Sequence, residues 1–485
     1  MGHFMTTISC FILLFISSAL ADGGLVGVNY GRIANDLPEP TKVIELMKSQ
    51  GINRAKLYDS DQTVLKAFAD SGIKLVVALP NELLSSVSKK QSFAHSWVQD
   101  NIAAHYPKTQ IEAIAVGNEV FVDPANTTDF LVPAMKNIHS ALVKLNLHNA
   151  IKVSSPVALS ALQNSYPSSA GSFKTELIEP VMKPMLEFLR STGSYLMVNV
   201  YPFFAYAANS DVISLDYALF RENPGNVDSG NGLRYFNLFD AQLDAVYAAM
   251  SALKYNDLKV VVSETGWPSN GDKNEIGASQ ENAADYNGNL VKRVLTGGGT
   301  PLKKDSVLDV YLFAMFNENQ KSGPTSEKNY GLFYPNQQKV YNIPLTEEGL
   351  KAWKGTGKSQ STPVSGGAGG SSNSSSSGGS SSSGQGGVST SSSGHTWCVA
   401  NDKSGEEKLQ NALDYACGPD GGADCRSIQP GAACYSPNTL EAHASFAFNS
   451  YYQKKSRAMG TCDFGGAAYV VTQSPKFGKC ELPTN

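Results

Sequence analysis

The sequence predicts an α/β fold: a (β/α)8 TIM barrel, followed by a flexible Gly/Ser linker and a small disulfide-stabilised α+β module. Three observations predict it. Eight short apolar or β-branched runs alternate with helical segments, one stretch is dominated by serine and glycine, and six cysteines crowd into the last 88 residues.

At the N-terminus, Cys10 to Leu20 is an apolar run ending in the small-x-small site Ala19-Leu20-Ala21, which reads as a cleaved signal peptide over residues 1–21. The run is short for a membrane span, and no later stretch approaches 18 uninterrupted apolar residues. Residues 22–354 then carry the eight runs: Leu25 to Tyr30, Arg54 to Tyr58, Ile73 to Leu79, Ile111 to Val116, Ile151 to Ser155, Tyr195 to Val200, Leu258 to Ser263 and Leu308 to Phe316. Amphipathic stretches such as Pro40 to Gln50 and Phe239 to Leu253 lie between them. Eight strand–helix alternations within one domain are what a barrel requires.

Residues 355–395 form the linker; within them, 365 to 394 hold 15 Ser and 10 Gly in 30 positions. Such a segment cannot bury enough apolar area to order itself, and as a coil its ends lie roughly 30 Å apart. The remaining 396–485 contain Cys398, Cys417, Cys425, Cys434, Cys462 and Cys480. In a secreted segment this short, six cysteines imply three disulfides that reinforce a small core. Spacing leaves all fifteen connectivities open. Zinc is the competing reading, but no CxxC pair occurs, so no metal and no cofactor is expected. With 39 basic against 43 acidic residues and no block of one sign, neither nucleic acid nor an anionic membrane is indicated. A neutral polymer fits better.

Barrel active sites gather where the strands end at their C-terminal face. There the fourth run leads into Gly117-Asn118-Glu119 and the seventh into Glu264-Thr265-Gly266-Trp267-Pro268. A carboxylate at such a position is costly to hold in the barrel mouth without purpose. Two of them suggest glycoside hydrolysis, in which one carboxylic acid protonates the leaving oxygen and the other carboxylate attacks or activates water. Capping of a helix or pairing with a lysine is the plainer alternative for each glutamate alone.

Ala115 to Val120 (AVGNEV) and Val261 to Ser269 (VVSETGWPS) resemble the two signatures of plant glycoside hydrolase family 17, the endo-β-1,3-glucanases. Gly27 to Arg32 (GVNYGR), Val198 to Tyr206 (VNVYPFFAY), Phe313 to Gly323 (FAMFNENQKSG) and Tyr330 to Phe333 (YGLF) extend the resemblance from about residue 25 to 345. It implies Glu119 as general acid/base, Glu264 as nucleophile, a retaining mechanism, and Asn118 as the partner of the sugar 2-hydroxyl. It also places Tyr58, Glu318, Lys321 and Glu327 along the cleft. Tyr30 and Tyr201 are expected to face sugar rings, whereas Phe204 and Trp267 are expected to pack in the core or behind the residues that touch the sugar. Members that cut mixed β-1,3-1,4-glucan share this machinery, so a mixed-linkage glucanase and a transglycosylase are alternatives. An inactive callose-binding wall protein is a third; the intact Glu119, Glu264 and NENQK string argue against it.

The C-terminal segment, opening Thr396-Trp397-Cys398-Val399-Ala400, resembles a family 43 carbohydrate-binding module, which implies affinity for β-1,3-glucan. Helices are expected over Glu406 to Ala416 and Leu440 to Tyr452, with Tyr451, Tyr452 and Phe464 as candidate binding residues. The chain has no hydrophobic tail after Cys480 to direct a lipid anchor. The expectation is thus a monomeric enzyme, secreted to the extracellular space or cell wall, with Asn126 and Asn373 as N-glycan acceptors.

Overall fold

A computed structural model of the chain describes residues 23–353 apart from Pro124, and residues 396–483 apart from 402–403, 419–420, 456–460, 463, 472–474, 476 and 479. The expected signal peptide, the linker and Asn373 lie outside the described residues. The chain divides into two compact units, residues 1–364 and 365–485.

The first unit is a parallel barrel. Its strands are β1 (Val26–Tyr30), β2 (Arg54–Leu57), β3 (Lys74–Leu79), β4 (Gln110–Val116), β5 (Lys152–Ser154 and Pro156–Ala158), β6 (Leu196–Asn199), β7 (Val260–Thr265) and β8 (Val310–Leu312). Each of the eight expected runs supplies one. The two parts of β5 are counted apart in a nine-membered sheet, and they stand at its opposite ends: Lys152–Ser154 pairs with β4 and Pro156–Ala158 pairs with β6. Only Ser155 separates them in the chain, so one extended segment closes the ring. Pro156, which has no N–H to donate, sits where the ladder changes partners. The eighth run is regular strand over three residues only, because the N–H groups of Phe313, Ala314 and Met315 turn to the carbonyls of Thr265, Tyr330 and Asn29.

Strand alternation sorts the side chains into two layers. Val76, Ala78, Ala113, Ala115, Met197, Val261 and Tyr311 fill the barrel interior. The opposite parity, with Val28, Leu57, Leu75, Val77, Ile114, Val198 and Val262, packs against the helices. Helix Pro40–Ser49 begins on a proline, whose missing N–H costs nothing there, and buries Val43, Ile44, Leu46 and Met47. Helices Gln62–Ala67, Leu238–Ala252 and Gln280–Leu295 are N-capped by the side chains of Asp61, Asn237 and Ser279.

The second unit is built on β9 (Trp397–Ala400), antiparallel to β10 (Ala468–Val471), and on helices Glu406–Cys417 and Leu440–Lys454. The longer helix is buried around most of its circumference. Its interior polar side chains serve the free groups of β9 and the residue before it: Ser445 accepts from Ala400 N–H, Asn449 from Cys398 N–H, and Gln453 donates to Thr396 C=O. The six cysteines pair as Cys398–Cys462, Cys417–Cys425 and Cys434–Cys480. Among the described residues no helix is long and apolar enough to cross a membrane.

Candidate active site

Glu119 follows a tight turn at the end of β4. Gly117 has φ +67°, and a Cβ there would stand 2.5 Å from Val120 Cγ2. Glu119 itself takes a left-handed conformation, φ 50°, unusual for a side chain of its size and of the kind that functional sites hold against local strain. The surroundings fix it: its N–H donates to Pro156 C=O at 3.0 Å. Asn81 and Asn118 exchange two hydrogen bonds, of 2.8 and 3.1 Å, between the Asn81 amide and the Asn118 backbone. The Glu119 carboxylate accepts one hydrogen bond from Asn199 Nδ2 at 2.8 Å, and Ser263 Oγ donates to Asn199 Oδ1 at 2.7 Å, orienting that amide.

Glu264 reaches the same space through an irregularity in β7. Val262 pairs with Val198, but the next pairing is Glu264 with Asn199, one residue out of step. The extra residue turns both Ser263 and Glu264 toward the interior, as a bulge does; in a regular strand Glu264 would point at the helices. The Glu264 carboxylate is nearly solvent-excluded and is held on both oxygens: Lys56 Nζ lies 2.9 Å from Oε1, and Tyr201 Oη donates to Oε2 at 3.0 Å.

The two carboxylates therefore sit in unequal settings. Burial first, then the charge of Glu264, pushes Glu119 above the usual carboxylate range, and Asn199 and Lys56 oppose the shift. Burial pulls the Lys56 ammonium below its ordinary value, opposed chiefly by Glu264. Burial and the Glu264 charge hold the phenols of Tyr58 and Tyr201 well above theirs, so both stay protonated. Lys56 also stands 3.9 Å from the Tyr58 ring centroid and 3.4 Å from Asn118 Oδ1.

A third carboxylate, Glu318, is buried beside β1 and accepts the Ile33 N–H at 2.7 Å. Burial raises its pKa and Lys321 opposes the rise. Only a glycine at 31 leaves room, since a Cβ there would lie 2.5–2.7 Å from the Glu318 carboxylate. Lys321 pairs with Glu327 at 3.6 Å and stands 4.2 Å from the Phe313 ring centroid.

Of the residues expected in the cleft, Glu119, Glu264, Asn118, Tyr58 and Tyr201 thus meet around Lys56, and Glu318, Lys321 and Glu327 form a charged group electrostatically coupled to them. Tyr30 does not join them. It shares the outward parity of Val28, is 2 % exposed, and packs edge-on against Phe316. Trp267 is fully buried, its indole donating to Gly277 C=O. Phe204 is not in the core: it is 47 % exposed and packs beside Tyr201, because helix Pro202–Ala208 turns Phe203 inward and its neighbour out. Asn126 is exposed. In the second unit Tyr452 belongs to the core, its hydroxyl 3.0 Å from Thr396 Oγ1, whereas Tyr451 and Phe464 border a surface cleft.

Sequence reasoning missed Lys56, Asn81 and Ser263, and gave Asn199 no role. A signal for Lys56 existed: Arg54, Lys56 and Tyr58 share one parity of β2, so the lysine had to face the barrel interior.

The sequence profile described as Glycosyl hydrolases family 17 matches residues 26–345, and that of the X8 domain matches 396–469. Glucan endo-1,3-beta-glucosidase 3 of Arabidopsis thaliana is 41 % identical over 476 residues, 98 % of this chain and 87 % of its own length. Glucan endo-1,3-beta-D-glucosidase of Olea europaea is 36 % identical over 98 % of this chain and 96 % of its own. Among solved structures, CJP38, a beta-1,3-glucanase and allergen of Cryptomeria japonica pollen, is 44 % identical with a TM-score of 0.64, covering 67 % of this chain and 99 % of its own. A plant beta-glucan endohydrolase, one of two with distinct substrate specificities, is 43 % identical with a TM-score of 0.61, over 66 % and 99 %.

Proposed function

The chain belongs to glycosyl hydrolase family 17, and we propose that it is a secreted, retaining endo-hydrolase of β-1,3-glucan in which Glu119 is the acid/base and Glu264 the nucleophile. The Arabidopsis thaliana relatives that match nearly the whole chain are named glucan endo-1,3-beta-glucosidases, and CJP38 is named a beta-1,3-glucanase. The assignment of roles is carried by the unequal settings of the two carboxylates. Glu264, fixed on both oxygens by Lys56 and Tyr201, suits an ionised group aimed at an anomeric carbon; Glu119, raised and held by one hydrogen bond, suits a proton donor.

In the first step Glu264 attacks the anomeric carbon as Glu119 gives its proton to the departing glycosidic oxygen. The carbon–oxygen bond breaks and a glycosyl ester on Glu264 remains. Glu119, now a carboxylate, takes a proton from water, whose oxygen displaces Glu264 and releases a β-configured reducing end. Asn118 and Tyr58 are the residues proposed to meet the sugar at the cleaved bond, with Glu318, Lys321 and Glu327 along the cleft. Secretion is supported by the Cys10–Leu20 run and by three disulfides, which form in oxidising compartments.

Proton NMR of laminarin during hydrolysis tests the mechanism: the β anomer is expected first, and initial release of the α anomer would overturn it. Sizing the products from laminarin and from mixed-linkage glucan separates an endo-β-1,3-hydrolase from a mixed-linkage enzyme and from a transglycosylase, which would yield chains longer than the substrate. Full activity in Glu264→Gln would remove the nucleophile assignment.

A further inference from the structure

Beyond β7, the loop from Ser269 to Ala278 is stitched by hydrogen bonds to the short helical turn Thr325–Lys328 and the residue after it. Ser269 donates twice to Asn329 C=O, from its N–H at 2.8 Å and from its hydroxyl at 2.9 Å. Asp272 accepts the Thr325 N–H at 3.1 Å and the Thr325 hydroxyl. Glu275 accepts the Ser326 N–H at 3.0 Å and the Ser326 hydroxyl, and the oxygen that takes this N–H also takes that of Asp272 at 2.8 Å. The N–H groups of Thr325 and Ser326 open the turn, so no carbonyl inside it can receive them. Pro324, at the cap position, offers no side-chain acceptor. Two carboxylates from the other loop take that place. Ser326 is fully buried, and its N–H and its hydroxyl both point to Glu275.

The next residue is Glu327. Its carboxylate pairs with Lys321, whose ammonium lies over the Phe313 ring, and Phe313 meets Tyr58 and Tyr201 edge-on at 6.3 and 6.1 Å between centroids. A displacement of the turn is thereby carried to the rings around Glu264. We propose that Glu275, assisted by Asp272, is a positioning residue: by fixing the two N–H groups that open the turn, it sets where Glu327, and through it Lys321, stands along the cleft. This rests on the reading of the chain as a β-1,3-glucan hydrolase whose cleft Lys321 and Glu327 line. Glu275 acts through backbone groups and leaves β4 and β7, which carry Glu119 and Glu264, as they are. Its effect accordingly falls on the holding of substrate rather than on the reacting bond. The interaction needs acceptor and donor atoms in the right places, not a negative charge. Glutamine can supply them, its carbonyl oxygen accepting the two N–H groups and its amide donating to the Ser326 hydroxyl oxygen.

Steady-state kinetics of the full chain on soluble laminarin, with thermal unfolding alongside, tests this. Glu275→Ala is expected to raise KM about 3- to 10-fold, the scale of one or two net hydrogen bonds, while kcat stays close to that of the parent. Ser326→Ala, which removes only the hydroxyl bond, should raise KM by less, and it carries the test if Glu275→Ala does not fold. Glu275→Gln should restore the parent KM. In the double variant Glu275→Ala with Glu327→Gln, KM should be no higher than in Glu327→Gln alone, because the first change acts through the second residue. Asp228 provides the control: it clasps Ser169 in the same manner, taking its N–H at 2.7 Å and its hydroxyl at 2.6 Å. Asp228→Ala should lower the melting temperature and leave KM unchanged. The inference is overturned if Glu275→Ala and Ser326→Ala keep the parent KM, if Glu275→Gln is as impaired as Glu275→Ala, if the Glu275 and Glu327 effects multiply, or if Asp228→Ala raises KM equally. A parent that cleaves no laminarin overturns the hydrolase reading and this inference together, whereas an active parent with any of those results overturns this inference alone.

Discussion

Lys56 and Glu264 form an ion pair of 2.9 Å inside the barrel, with side chains only 1 % and 7 % exposed. Two charges so far from water are stable only together; removing one partner of such a pair costs about 3–5 kcal/mol. Lys56→Met is therefore expected to lower the stability of the first unit by that order. In protein that remains folded, kcat should fall at least ~100-fold, the scale of losing one preorganised electrostatic partner. Lys56→Arg, which keeps the charge, should recover part of both. Thermal unfolding and kcat on soluble laminarin measure the two effects, and an unchanged kcat in Lys56→Met would show that the ammonium is structural only.

Asn199 donates to the Glu119 carboxylate and so favours its charged form. Without that bond the Glu119 pKa rises further. In Asn199→Ala the alkaline limb of kcat/KM is accordingly expected to move to higher pH, with the maximum rate reduced about 10- to 100-fold. Ser263→Ala, which frees the Asn199 amide to rotate, should shift the limb in the same direction by less. Glu119→Gln should abolish the limb. Because Glu119 titrates higher folded than unfolded, its charge subtracts from stability above the unfolded pKa, so Glu119→Gln should also melt higher than the parent at pH 7.

Gly31→Ala places a methyl group within 2.5–2.7 Å of the Glu318 carboxylate, which the Ile33 N–H holds in place. Either the carboxylate or the β1 end must move. A loss of roughly 1–3 kcal/mol in stability and a rise in KM for laminarin are expected, and wild-type values for both would mean that the loop yields freely.

Asp244, on helix Leu238–Ala252, receives the Leu302 N–H at 2.8 Å, yet burial raises its pKa to about 6. The folded state keeps a proton there that the unfolded chain loses near pH 4. Stability is thus full below the unfolded pKa and declines as pH rises toward 6, by up to about 3 kcal/mol. Urea unfolding of the parent and of Asp244→Asn at pH 4 and 6.5 checks this; the variant should show a flatter dependence, and equal slopes would contradict it.

Much of the architecture was legible because parallel barrel strands are buried on both faces and announce themselves as apolar runs; all eight runs became strands. The strand-end motifs located Glu119 and Glu264 as well. Three things were not legible. The inward aim of Glu264 depends on one extra residue in the β7 ladder, which no propensity signals, and which brings Ser263 in with it. Tyr30 was weighed by its place at a strand end, though its parity with Val28 sends it outward. Spacing could not choose among fifteen cysteine pairings either, since chain folding decides which thiols meet.

The seam of the ring at Ser155 has a further implication for engineering. Pro156 both hands the ladder from one neighbour to the next and accepts the Glu119 N–H. A circular permutant opened at Ser155 would thus release the backbone of the acid/base together with the last closure of the cylinder. One opened in the exposed Asn231–Gly232 turn, which belongs to no barrel strand, keeps the two intact. The place where the cylinder is sealed is also the worst place to give it new ends.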